Sequence, residues 1–344
     1  MKRRTFLAAV GSPLLARSVL ASGTVPMRIG QIGTAHPHAA AKMQAMRSLP
    51  ADWEVVGFVE PDIKKAKAVA APYQGLRSLM EEELLGMPDV RAVAVETGIE
   101  DSCATALRAL RAGKHVHLDK PGALNHEEFK AMRLEAEKRG LAVQLGYMLR
   151  YNPAFQMLFQ AVREGWLGEI MEIDAVMGKL APAGLRAEIG ALPGGGMFEL
   201  GGHVLDAILI ILGKPRAVTA FNTPTRGDGV KDNQLAILEY PKATATVRIN
   251  FSDPYGAPRR RFNVTGTGGT FEIMPLESGS VKLSLAKARG KYSQGMQTLQ
   301  LDLPRGKYDE EFRDLARVIR GEQSLRWNAY HDIAVHETLL KAAS

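Results

Sequence analysis

The feature that most constrains this chain is an alternation, through its first half, of short apolar runs with helix-patterned segments. Residues 27–33, 53–59, 90–95, 115–118 and 141–145 are strand-like. Between them, residues 39–47, 63–71 and 102–112 carry helical patterning. Parallel strands need a crossover, and a helix supplies it. The alternation therefore predicts a parallel sheet covered by helices on both faces.

The second half reads differently. Residues 216–222, 233–252, 260–274, 280–286 and 297–303 are strand-like, several of them alternating in polarity, and 308–320 and 328–342 read as closing helices. At 344 residues the chain is too long for one ordinary domain and about right for two. Apolar residues make up 46% and charged residues 24%, which excludes wholesale disorder and fibrous structure. No stretch of eighteen apolar residues occurs, so no ordinary membrane span is expected. The single cysteine, Cys103, excludes an internal disulfide and a cysteine-rich metal site.

The formal charge of +7 is concentrated at the amino terminus. Residues 1–21 hold Lys2, Arg3, Arg4 and Arg17 and no acid, which leaves 40 bases against 37 acids, or +3, elsewhere. The cluster Arg259-Arg260-Arg261 reads as a solvated strand end, so no nucleic-acid partner is expected. Arg3-Arg4 followed by Phe6-Leu7, an apolar run to Leu20, and the small residues Val19 and Ala21 have the layout of a twin-arginine signal cleaved after Ala21. Such a protein would be exported to the periplasm already folded, with a cytoplasmic cofactor loaded first.

The first strand and helix should flank a phosphate loop of the Gly-x-Gly-x-x-Gly type. Here the turn is Gly33-Thr34-Ala35-His36-Pro37-His38, and only the first glycine is present. Ala35 adds a methyl group where backbone normally approaches a pyrophosphate. Glu60, at the end of the second strand, can accept hydrogen bonds from both adenosine ribose hydroxyls and would repel a 2′-phosphate. That favours NAD over NADP. His36 and His38 raise the question of a metal, but with no third ligand nearby in the sequence no metal is assigned.

Several segments carry a family resemblance. Residues 111–121, Arg-Ala-Gly-Lys-His-Val-His-Leu-Asp-Lys-Pro, resemble the Ala-Gly-Lys-His-Val-x-x-Glu-Lys-Pro signature of the glucose–fructose oxidoreductase / inositol dehydrogenase (Gfo/Idh/MocA) family. Residues 146–153 are similar to that family's Gly-x-x-x-Arg-(aromatic)-x-Pro segment at the domain crossover, and residues 167–170 to its helix-to-strand junction. Residues 194–206 resemble Gly-Gly-(x)-Leu-x-Asp-x-Gly-x-His-x-x-Asp, and residues 266–272 a late strand–turn motif. The motifs keep the family's order from about residue 27 to the end. The resemblance implies a Rossmann NAD(P)-binding domain over 27–149 and, over 150–344, a substrate and oligomerisation domain built on a large, mostly antiparallel open sheet. It also implies a homo-oligomer.

Oxidising a hydroxyl requires a proton acceptor and a positive group that lowers the hydroxyl's pKa. Lys120 follows a strand at the edge where open parallel sheets bind ligands, with Asp119 before it and Pro121 after it. By resemblance Lys120 is the family's reactive lysine and His203 its base. Glu199 and His203, four apart, would share a helix face with Asp206 nearby, so that a carboxylate could orient the ring and raise its pKa. The resemblance places Gly33, Thr34, Ala35, His36, Glu60, Thr97, Asp119, Lys120 and Pro121 around the cofactor, and Tyr147, Arg150 and Asp206 around the substrate. Gly201 and Gly202 inside the helix imply a close approach to it. The chain departs from the family at Thr97-Gly98, at Ser102, where a histidine is usual, at Asp119, where Glu is usual, and at Glu199, where Asp is usual. Residues 179–193 are expected to form a pocket loop in which Arg186 and Glu188 could meet substrate hydroxyls or a sugar acid.

These features imply an exported NAD-dependent oxidoreductase acting on a sugar or polyol, with a tightly held, recycled cofactor. An NAD-dependent glycosidase using transient oxidation, and a non-catalytic sugar-binding protein on the same fold, are the alternatives.

Overall fold

The computed structural model describes residues 25–34, 36–62, 64 and 70–344. The signal read over residues 1–21, Ala35, and most of the helix expected over 63–71 lie outside the described residues.

Strands β1 (Met27–Ile32), β2 (Trp53–Val59), β3 (Val90–Val95), β4 (His115–Leu118) and β5 (Val143–Leu145) form one sheet. Their order is β2-β1-β3-β4-β5, and every neighbouring pair is parallel. Helices α1 (Ala39–Arg47), α2 (Glu81–Gly86), α3 (Ile99–Arg111) and α4 (His126–Arg139) carry the chain between strands. Consecutive residues Ala92, Val93 and Ala94 are fully buried, as they must be when both faces are covered. This is the Rossmann-type sheet that the alternation predicts. The strand order reverses direction at β1, so the carboxyl ends of β1 and β3 flank the crevice where such sheets bind ligands.

The second sheet has eight strands: β6 (Ile170–Gly178), β7 (Ala217–Pro224), β8 (Lys231–Glu239), β9 (Thr244–Asn250), β10 (Arg261–Gly266), β11 (Gly269–Ile273), β12 (Ser280–Leu285) and β13 (Gly295–Gln300). Their order is β13-β12-β11-β10-β6-β9-β8-β7, and only the β6–β9 pair is parallel. The long run 233–252 is two strands folded at Pro241-Lys242, where the Tyr240 amide donates to the Ala243 carbonyl. The run 260–274 likewise folds at Thr267-Gly268. On β8, Asp232, Gln234, Ala236 and Leu238 point inward and are buried, while Leu235 and Ile237 face outward. Helices α5 (Pro153–Arg163), α7 (Gly202–Leu212) and α9 (Ala329–Ala343) pack on the inner face. The segment expected as a loop over 179–193 contains helix α6 (Ala183–Ala191), and α8 (Asp309–Ile319) precedes α9. Asn125, Asn152 and Asn328 cap α4, α5 and α9 by accepting first-turn amides.

Helix α9 reaches back to the first sheet's helices. His336 is fully buried, stacks on Phe129 of α4 at 4.5 Å, and places Nε2 3.0 Å from the Ala123 carbonyl. Burial pushes its imidazole down to about 4 from the ordinary 6.5. The folded state therefore binds fewer protons than the unfolded state below pH 6.5. Stability should fall as pH drops from 6.5 to 4, with a contribution of up to roughly 3 kcal/mol from this residue. Urea unfolding across that range should show the loss, and His336→Gln should flatten it.

Candidate active site

Each candidate residue in the first sheet follows a strand's carboxyl end. Gly33 ends β1 with φ +88, and a Cβ there would lie 2.6 Å from the Thr97 amide nitrogen. Only glycine fits this turn. Thr34 donates its amide to Glu60 Oε2 at 3.2 Å, and its hydroxyl hydrogen-bonds the same carboxylate. Glu60 Oε1 accepts the Asp62 amide, so the acid after β2 is already shaped as an acceptor. Thr97, after β3, has a buried Oγ1 with no hydrogen-bond partner among the described residues. Ser102 donates to the Gly122 carbonyl at 2.9 Å, a backbone contact behind the site.

Asp119 and Lys120 follow β4, and the Lys120–Pro121 peptide is cis. Asp119 is buried and accepts from its neighbour's amide at 2.6 Å through Oδ1. Its Oδ2 meets Lys42 Nζ at 2.6 Å and both His36 Nδ1 and His38 Nδ1 at 3.1 Å. Burial alone would raise the Asp119 carboxyl, but the Lys42 ammonium and the two imidazoles hold it well below the usual range. The reason for setting a metal aside is thus removed. A third ligand is absent from the local sequence but present in space.

Lys120 crosses to the second half. Its ammonium donates to the Glu199 carbonyl at 2.8 Å and to Glu199 Oε2 at 3.2 Å. An ammonium has three donors, which leaves one for a ligand. Glu199 also receives Lys179 Nζ at 3.4 Å. Burial opposes ionisation of Glu199, but the two lysines outweigh it and hold the carboxyl at about 2. Residues Met197–Gly201 form a π-helical turn leading into α7. A wider turn breaks the regular i, i+4 alignment, and Glu199 faces Lys120 instead of orienting His203.

His203 is 3% exposed, and its buried Nδ1 has no hydrogen-bond partner among the described residues. Burial, then the charge of Lys120, pushes the imidazole well below 6.5 despite Glu199 and Asp119. The expectation that a carboxylate raises this pKa is therefore corrected. His203 stands neutral, edge-on to the Tyr147 ring at 6.0 Å. The close approach implied by Gly202 is that same ring: a Cβ would meet Tyr147 Cε1 at 3.2 Å.

Arg150 and Asp206, expected around the substrate, pair with each other. Arg150 is 1% exposed and binds Asp206 through Nε and Nη2 at 2.9 and 2.7 Å. Its Nη2 also reaches Asp332 at 2.7 Å, and its guanidinium lies over the rings of Tyr147 and Trp327. His331 Nε2 lies 2.8 Å from Asp206. The Nε and Nη2 of Arg150 are thus taken up by Asp206 and Asp332, and its guanidinium packs on Tyr147. Arg186 pairs with Asp228 and Asp232, and Glu188 is an exposed residue of α6.

The sequence reading passed over Lys42, Glu96 and Lys179. Lys42 interrupts an apolar stripe of Ala39, Met43 and Met46 on α1, and a charge on such a stripe signals a buried partner. Lys179 had no local signal, because its role depends on Glu199 twenty residues away.

Comparison with known proteins agrees with this geometry. Residues 27–147 match the oxidoreductase family with the NAD-binding Rossmann fold, and residues 155–272 match the GFO/IDH/MocA C-terminal domain. A trans-1,2-dihydrobenzene-1,2-diol dehydrogenase from Bos taurus is 32% identical over 234 residues, which cover 67% of this chain and 69% of that protein. The chain belongs to the Gfo/Idh/MocA family of oxidoreductases. An oxidoreductase domain protein from Kribbella flavida shares the fold with a TM-score of 0.79 at 20% identity, covering 92% of this chain and 95% of that one. A UDP-N-acetylglucosamine 3-dehydrogenase from Acidithiobacillus ferrooxidans has a TM-score of 0.75 at 22% identity, covering 92% and 97%.

Removing the Arg150 guanidinium would leave the buried Asp206 with His331 and the buried Asp332 with Arg133 as remaining partners. Arg150→Met should lower unfolding free energy by about 3–5 kcal/mol in chemical denaturation. A residue acting only on substrate would leave stability unchanged.

Proposed function

We propose that this protein is an NAD-dependent dehydrogenase acting on a ring-borne secondary hydroxyl of a sugar or cyclic polyol. The observation that carries the reading is the unused donor of Lys120, set near a neutral His203 at the carboxyl edge of the parallel sheet. The bovine relative is named for a ring-borne diol, which supports a cyclic hydroxyl-bearing substrate.

The residues present fit a dinucleotide. The turn at Gly33 has no room for a Cβ, Glu60 offers carboxylate acceptors, and Thr97 Oγ1 is buried without a partner. Glu60 would hold the adenosine ribose, and Thr97 and Lys120 would line the nicotinamide end. NAD, when bound, supplies the hydride acceptor. Lys120 donates its free N–H to the substrate oxygen and stabilises the alkoxide as the hydroxyl proton leaves. His203 receives that proton, since an imidazole with a depressed pKa is unprotonated at neutral pH. Glu199 holds the ammonium in place and stays ionised throughout. Glu60 favours NAD because its charge opposes a 2′-phosphate.

The same reading takes residues 1–21 as a twin-arginine export signal, on the strength of Arg3-Arg4 and the small residues before the cut. A periplasmic enzyme would keep its cofactor and recycle it within each turnover. Association of copies through the open face of the eight-stranded sheet belongs to this reading.

The protein purified from cytoplasm without added nucleotide should release near-stoichiometric NAD(H) on denaturation, quantified by chromatography. No nucleotide, and no binding of added NAD, would overturn the reading in favour of a non-catalytic sugar-binding protein. Lys120→Met and His203→Asn should each lower kcat/KM on polyol substrates by at least about 100-fold while retaining NAD. A released aglycone in place of a keto product would assign the glycosidase chemistry. Glu60→Ser should raise the ratio of NADP to NAD affinity, read by titration of each nucleotide.

A further inference from the structure

We propose that His36, His38 and Asp119 bind one zinc-class divalent cation, with a further coordination position open to water or a substrate oxygen. The two histidines flank Pro37 just before α1, and the carboxylate arrives from the end of β4, 81 residues beyond His38. Both Nδ1 atoms lie 3.1 Å from the same oxygen, Asp119 Oδ2. In a tetrahedral zinc site, metal–ligand bonds of about 2.0–2.2 Å put ligand atoms about 3.3 Å apart, close to these separations. His36 Nδ1 also accepts the His38 amide at 3.3 Å. Asp119 Oδ2 thus gathers two imidazole nitrogens at one point, a donor set of two nitrogens and one oxygen.

A second observation points the same way. Glu96 is fully buried, and neither carboxylate oxygen has a hydrogen-bond partner among the described residues. Its Oε2 lies 3.8 Å from His36 Nδ1 and its Oε1 3.3 Å from Lys42 Nζ. Glu311, also fully buried and without a hydrogen-bond partner, lies behind His117 at 3.5 Å. Lys42 is the one buried ammonium in direct contact with Glu96 and Asp119. Burial holds the Glu96 carboxyl, like that of Glu311, well above the ordinary range, so neither adds a charge that calls for a cation; what Glu96 contributes is an orphaned oxygen facing His36. Two imidazoles and a carboxylate suit zinc and neighbouring divalent transition ions better than magnesium or calcium.

The test uses the untagged full chain, stripped with chelator and titrated with Zn2+ by calorimetry, with Co2+ absorption as the geometric readout. One Zn2+ per chain is expected, together with a visible Co2+ band of four-coordinate intensity. His36→Asn and His38→Asn should each abolish stoichiometric binding, while Lys282→Met, exposed on β12 of the second sheet, should keep it. Thermal unfolding of each stripped variant confirms folding. No binding by the wild-type chain, or binding unchanged in both histidine variants, would overturn the proposal. NAD content, measured on the same samples, reports separately on the dehydrogenase reading.

Discussion

The buried guanidinium of Arg150 is the interaction on which the rest of the arrangement depends. It sits in the segment that leaves the parallel sheet and clasps Asp206 of α7 and Asp332 of α9. Arg133 of α4 meets the same Asp332 at 2.9 Å, so four elements from both halves converge on one set of charges. Ions taken out of water at this depth are tolerated only when every partner is in place. The geometry therefore has one solution, and it fixes how α7 stands relative to β4. Tyr147, under the guanidinium, then supports His203, and the π-helical turn carries Glu199 across to Lys120.

Two carboxylate–cation arrangements result, with opposite characters. At Glu199 two lysines face one acid, which leaves surplus positive charge. Around Asp119 and Glu96 two acids face one lysine, with imidazoles at the rim. His38 is close enough for the charge of Lys120 to act on it, so the two regions share one crevice.

Much of the fold was legible because backbone hydrogen bonding imposes period. The runs at 27–33 and 90–95 are continuous apolar strands because helices cover both faces, and the alternation on β8 shows a sheet with one covered face. The break at Pro241-Lys242 was missed because two strands of a hairpin share one composition. Helix α6 was missed because Pro182 and the glycines around it read as loop. In the site, Lys120 and His203 stand out from their motifs, whereas the partners of Arg150, Asp206 and Arg186 appear only in the fold. A polar residue in a motif looks the same whether it faces a ligand or another side chain.

The sequence by itself determined the local elements, the parallel character of the first sheet, the glycine turn at Gly33, and the family to which the chain belongs. Each of these follows from residue period, φ preference or a contiguous motif. Only the tertiary structure decided which charges meet. Asp119 joins His36 and His38 across the crevice, Lys179 joins Glu199, and Arg150 turns inward to Asp206 and Asp332. Such pairings depend on how separate elements pack, and no local pattern encodes the partner that burial will demand.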